Sequence, residues 1–284
     1  MFILINVIPL LLFSLIWGRF NTGSKQVIRS TIWGVLIISF TAFYINGVDW
    51  SIYYSRFLND DDLYLAFEPG FVFFFKLLLF LSGNNFGIAI LLFYMFVFTM
   101  LGYNLTKVKI NEPLFISALL MVFGYTLILE QLRQFIACVI IFAIIINYCK
   151  SHSLPRLIIG TIIAASMHVS ALIIIPAILL CKIKNRKIFI AVTVSSISLF
   201  AFLLIFGAGL VAFLAQFNFA FKKILFYIEQ NPISIQFGWL NILTFLYVVF
   251  YIYYSYQIEK KQELLLLNRI IFVGAVIYLY SGAI

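Results

Sequence analysis

Charge is what this chain has least of. Only 10% of its 284 residues are Asp, Glu, Lys or Arg, against roughly 25% in a soluble domain, so a water-soluble enzyme of this length is excluded. Cysteine is also scarce. Cys138, Cys149 and Cys181 are the only three; they lie in or beside apolar runs without CxxC or Cys/His ligand spacing, and read as small core residues, not as a disulfide scaffold. No phosphate-binding glycine loop, HExxH or GxSxG pattern occurs, which leaves nucleotide hydrolysis and zinc proteolysis without support. A disordered chain is excluded by an apolar content of 64% and a mean hydropathy of +1.12.

What is present is a series of long charge-free runs. They lack the period-two alternation of a barrel strand, so the expected class is an all-α polytopic integral membrane protein forming one domain over 1–284. At about 20 residues per crossing, the chain has room for roughly eight to ten transmembrane helices. Expected spans are 2–17, 30–46, 86–103, 113–129, 133–149, 188–207, 238–257 and 265–283. The first has no basic n-region and reads as a span, not a cleavable leader. The stretch 70–82 is too short to cross and carries Lys76; it is expected to be an external amphipathic helix in the interface. The stretch 157–180 holds Ser166, His168 and Ser170 near its middle. It is either one polar-centred span or a re-entrant pair of half-helices.

The net charge of +9 is dispersed in short clusters between apolar runs, a topology signal and not a nucleic-acid footprint. Arg19, Lys25 and Arg29, then Lys107 and Lys109, Lys150 and Arg156, Lys182 to Lys187, and Lys260 and Lys261 mark inner turns. Placing all of them inside makes 157–180 re-enter. Five of the ten acids, Asp49, Asp60, Asp61, Asp62 and Glu68, fall in an external loop within 46–85. The setting expected is the bacterial cytoplasmic membrane, crossed many times.

An ionisable group inside a span costs about 2.5–3.5 kcal/mol at its centre, so the few that occur are informative. Arg133 and Gln134 fall in the first turn of a helix, where the dipole already makes the end positive. A bound phosphate would resolve that conflict through the guanidinium and free amides; an Arg133–Glu130 ion pair would do so equally well. His168, within an apolar run and near Ser170, is either a general base or a core histidine bonded to a neighbouring backbone. His152 reads as solvated. Asp49, Trp50 and Tyr53, with Glu68 further on, mix carboxylates and aromatics at the outer face. They could bind sugar hydroxyls and stack on sugar rings, either carboxylate could be a base, and the alternative is a polar loop with interfacial aromatics. Asp60–Asp62 reads as a solvated run and no metal site is expected. Lys222, Lys223 and Tyr227 read as a solvated basic turn, with an anionic headgroup or polymer as the other reading.

Four elements, taken in order, resemble the EpsG family of bacterial polysaccharide polymerases, related in role to Wzy-type O-antigen polymerases. They are Gly47-x-Asp49-x-x-x-Tyr53, Glu68-Pro69-Gly70-Phe71, Leu132-Arg133-Gln134 with Ala137 following, and Ala164-Ala165-Ser166-Met167-His168-Val169-Ser170-Ala171-Leu172. The likeness covers about residues 45–180 and puts a catalytic core in 133–181. Such proteins usually run longer, which implies a short variant or a truncated chain. The resemblance implies glycosyl transfer between oligosaccharide repeat units carried on undecaprenyl diphosphate at the outer face of the cytoplasmic membrane. It needs no cofactor, and no metal if cationic side chains replace one. The implied partners are the lipid-linked glycan, the bilayer, and a flippase and chain-length regulator of the same pathway, with no nucleic acid. Arg133 would hold the diphosphate, with Gln134, Tyr53, Trp50 and Ser170 on the substrate, and His168, Asp49 or Glu68 as base. A transporter or flippase, or an O-antigen ligase or acyltransferase, are the competing classes. The first has no support from duplicated halves.

Overall fold

The computed structural model describes residues 2–46, 49–59, 63, 67–108, 110–206, 213, 216, 239–258 and 262–281. Gly47, Asp60–Asp62, Lys109, Lys222, Lys223, Tyr227, Lys260 and Lys261 lie outside the described residues. Among those described, the chain is helical throughout and contains no strand. The helices are α1 (Phe2–Ile16), α2 (Thr22–Phe43), α3 (Trp50–Asn59), α4 (Pro69–Leu81), α5 (Phe86–Thr106), α6 (Glu112–Phe123), α7 (Leu132–Ser151), α8 (Leu154–Met167), α9 (Ile174–Cys181), α10 (Arg186–Phe206), α11 (Trp239–Ile258) and α12 (Gln262–Ser281).

Among the described residues three helical segments are long and apolar enough to cross a membrane: Phe86–Thr106, Glu112–Glu130 and Leu132–Ser151. Helices also occupy the other five stretches expected to span. Many apolar side chains face outward, among them Leu15, Phe73 and Phe80, the last with 79% of its surface exposed. In water such faces would associate; in a bilayer they meet lipid tails. The 70–82 stretch forms α4, whose 13 residues rise about 20 Å, short of the hydrocarbon thickness. The 157–180 stretch is not one continuous helix. It breaks at His168, whose φ of −157° and ψ of 124° are extended. The loop expected around residues 50–59 is instead helical. Tyr53 and Phe57, one turn apart, supply α3 with a buried aromatic stripe.

The chain divides into two compact units, Met1–Ile174 and Ile175–Ile284. In the first, α1 packs on α6, α2 on α5, α4 on α5 and α8, and α7 on α8 and α5. Its core is built largely of rings: Phe40, Phe71, Phe75, Phe93, Tyr94, Phe98 and Phe135 are fully buried. Asparagines cap three of these helices. Asn21, Asn85 and Asn111 accept from the amides of Ser24, Ile88 and Leu114, satisfying donors that the helix leaves orphaned. A bidentate pair joins α2 to α6, Arg29 donating to Glu112 at 2.8 and 2.7 Å. In the second unit α12 packs on α10 and α11, with Tyr251 stacked on Phe272 at 4.4 Å. Arg269, buried in α12, donates to the carbonyls of Cys181 (2.9 Å) and Ile183. The carbonyls at a helix C-terminus carry partial negative charge, and this arginine meets it.

Small residues let helices approach closely where no hydrophobic force separates helix from lipid. A Cβ on Gly102 of α5 would stand 2.7 Å from a ring carbon of Trp33 on α2. An indole cannot bend aside as a flexible chain end can. Gly102→Ala is therefore expected to destabilise the purified protein by about 1–3 kcal/mol, read as a lower melting temperature in detergent. An unchanged melting temperature would show that α2 and α5 are not in this contact.

Candidate functional site

Four polar side chains from four separate segments of the first unit converge: Tyr53, Glu68, Arg133 and His168. Glu68, Arg133 and His168 are each positioned by a break or an end in a helix, and Tyr53 comes from within α3. Residues 124–130 widen into a π-helix after α6. The Tyr94 hydroxyl donates to the Ile128 carbonyl within it at 2.8 Å, which satisfies a backbone group of this non-α turn. Gln131, at φ −103° and ψ 64°, then ends the segment, and α7 begins with Arg133 in its first turn. Insertions of this kind recur at functional sites because they redirect side chains without unfolding the helix.

Glu68 occupies the N-cap of α4 in extended conformation, followed by Pro69 at the helix start, where a missing N–H costs nothing. Its side chain does not cap its own helix but reaches across to two other segments. Gly70 makes that reach possible. A Cβ there would lie 2.2 Å from Ser166 Oγ and 2.8 Å from the Ser166 carbonyl oxygen, so only glycine brings α4 this close to the end of α8. Two residues beyond Ser166, the extended backbone of His168 presents the imidazole to Glu68.

One carboxylate joins the cluster. Glu68 Oε2 accepts from Arg133 at 2.7 Å, and Oε1 lies 3.0 Å from His168 Nδ1 and accepts from the Val169 amide at 3.4 Å. Arg133 Nε donates to the Tyr53 hydroxyl at 3.4 Å. Only 11% of the Glu68 side chain, 20% of Arg133 and 23% of His168 is exposed. Behind them lies an aromatic wall. The guanidinium sits 4.9 Å over the Phe67 ring, itself stacked on Tyr53 and Phe57.

Burial alone would raise the Glu68 carboxyl. The His168 hydrogen bond and the Arg133 charge outweigh it and hold the group at about 2, below its ordinary 4.5. Burial pushes the Tyr53 phenol up, against the pull of Arg133, so it stays protonated. An ionised carboxylate only accepts hydrogen bonds, which makes Nδ1 of His168 the donor and leaves Nε2 with its lone pair in the neutral ring.

Asp49, Trp50, Gln134 and Ser170 are not hydrogen-bonded into the cluster. Asp49 begins α3, its carbonyl accepting from the amides of Ile52 and Tyr53. Trp50 packs edge-on to Tyr54 at 5.7 Å and against the core. Gln134 is half-buried beside Arg133, and Ser170 is exposed in the 3-10 turn after His168. The anion that the α7 terminus calls for is supplied within the chain by Glu68. Phe67 and Gly70 are the participants that residue spacing alone does not reveal. Among the described residues no three of His, Cys, Asp and Glu stand close enough to hold a metal ion.

The family model of the EpsG family matches residues 3–284, both units together. No curated protein and no solved structure matches the chain.

The depressed carboxyl gives the cluster a pH signature. A carboxylate held below its unfolded value contributes stability in full above pH 4.5, and that contribution is lost as pH falls toward 2. Across this window the wild type is expected to lose more thermal stability than Glu68→Gln; equal losses would mean the ion cluster does not form. Gly70→Ala is expected to separate α4 from α8 and to lower the melting temperature. An unperturbed Gly70→Ala protein would contradict the close approach.

Proposed function

From the chain's membership in the EpsG family, and from the Arg133–Glu68–His168 cluster, we propose that this membrane protein is a polysaccharide polymerase that transfers a growing glycan from its lipid diphosphate to the next repeat unit. The observation that carries the reading is one carboxylate shared at hydrogen-bond distance by an arginine and a histidine, at three interrupted helix ends.

The roles follow from the chemistry. The acceptor hydroxyl attacks the anomeric carbon of the donor sugar. The bond from that carbon to the diphosphate oxygen breaks, and its electron pair leaves on the lipid diphosphate. That leaving group needs positive charge and not a proton, which Arg133 provides by exchanging part of its bond to Glu68 for phosphate oxygen. The hydroxyl proton passes to Nε2 of His168. Glu68 is a poor base at neutral pH, since its carboxyl is held at about 2; it fixes the imidazole tautomer and orientation, as the third member of a nucleophile–base–orienter set does. Tyr53 and Phe67 keep the guanidinium in place. Undecaprenyl diphosphate as carrier, with O-antigen, capsule or exopolysaccharide as product at the outer face of the cytoplasmic membrane, belongs to this proposal.

The test is an assay of purified protein with lipid-linked repeat units. Laddered products are expected from the wild type. Arg133→Ala should lower transfer on the order of 10²- to 10³-fold, and His168→Ala on the order of 10²- to 10⁴-fold, both with normal amounts of protein in the membrane. A single addition would indicate a ligase. Undiminished ladders from either variant would overturn these assignments.

A further inference from the structure

We propose a second anion site, at the opposite end of the α7–α8 hairpin, that binds the phosphate of an anionic phospholipid headgroup. A cavity of about 410 Å³ opens there between the last turn of α7 and the first of α8, lined among others by Asn147, Tyr148, Lys150, Ser151, Ser153 and Arg156. Two cations, three hydroxyl-bearing side chains and an amide side chain line one space large enough for a small ligand. Lys150 reaches across to donate to the Lys107 carbonyl at 3.3 Å, which brings the end of α5 beside the opening.

Among the described residues no carboxylate neutralises this group. Among the described residues the salt bridges are Arg29–Glu112, Arg133–Glu68 and His168–Glu68, so no acid there pairs with Lys107, Lys150 or Arg156. Lys107 lies 4.2 Å over the Tyr103 ring, held by its aromatic face and not by a carboxylate. His152 adopts φ 50°, and its amide closes α7 on the Tyr148 carbonyl at 2.8 Å, which turns the chain from α7 into α8 beside the cavity.

Depth selects the ligand. Seventeen residues separate Arg133 from Lys150 along α7, a rise of about 26 Å, close to the hydrocarbon thickness of about 30 Å. With Arg133 at one headgroup level, the cavity lies at the other. A basic pocket between membrane helices at that level suits a phosphodiester on a diacylglycerol, with its chains lying along α7 and α8. The Ser153 hydroxyl and the Arg156 guanidinium supply directed hydrogen bonds to its oxygens, the Ser151 hydroxyl being donated to the Asn147 carbonyl. This site is separate from the Arg133–Glu68–His168 cluster and stands whether or not the proposed transfer reaction does.

Native mass spectrometry of the full-length protein, titrated with phosphatidylglycerol and with phosphatidylcholine, tests it. Wild type is expected to prefer phosphatidylglycerol. Lys150→Gln and Arg156→Gln, both at exposed positions, should each lower that preference about fivefold, and together by roughly twenty- to thirtyfold, as expected for removing one or two charges near an anionic surface. Lys150→Arg with Arg156→Lys should restore it in a protein of the same total charge. Inorganic phosphate is the second arm. If it binds the wild type, fails to bind the double variant, and no lipid preference is seen, the phosphate chemistry stands and its source is soluble. Equal binding of both lipids with no phosphate binding by the wild type overturns the site, as does a double variant that binds like the wild type.

Discussion

The two oxygens of Glu68 hold the candidate site together. One meets Arg133 at 2.7 Å and the other faces His168 at 3.0 Å, in surroundings where an unpaired charge would be costly. Removing the carboxylate would leave a mostly buried guanidinium without its counter-charge and an imidazole without its orienting acceptor. The three helix ends that carry these groups would then have no electrostatic reason to stay together. The closeness of α4 to α8, set by Gly70 against Ser166, brings Glu68 within reach of His168.

The arrangement also explains why an arginine tolerates the first turn of α7. The positive end of the helix dipole and the guanidinium repel, and the Glu68 carboxylate offsets both. In the proposed reaction a diphosphate would compete for the same position with the same sign of charge. As phosphate oxygens take a share of Arg133, less of the arginine's field falls on Glu68, and the carboxylate's negative field acts more fully on His168.

Much of this was legible in the sequence because charge is so rare in it. Arg133 and His168 stood out against apolar runs, Glu68 within Glu68-Pro69-Gly70, and helices formed where apolar runs predicted them. Other features could not be read. The pairing of Arg133 with Glu68 joins positions 65 residues apart and depends on the tertiary placement of α4. The π-helix at 124–130 begins at Gly124, but a single glycine in an otherwise helical stretch does not distinguish a π-turn from an ordinary helix. Residues 50–59 look like a polar loop until Tyr53 and Phe57 find the ring cluster of Phe67, Phe71 and Phe75. Arg269 lies in a stretch read simply as a span, and its partners, the carbonyls of Cys181 and Ile183, are more than 80 residues away in the sequence.

The most direct test of the shared carboxylate is the protonation pattern of the His168 ring. In full-length protein labelled with ¹⁵N-histidine, solubilised at a pH where the ring is neutral, the two nitrogens of His168 are distinguishable by chemical shift. His168→Gln assigns them against His152. The account predicts a ring protonated at Nδ1 with a bare Nε2, and loss of that tautomeric preference in Glu68→Gln. A ring protonated at Nε2 in the wild type, or one indifferent to the Glu68 substitution, would contradict it.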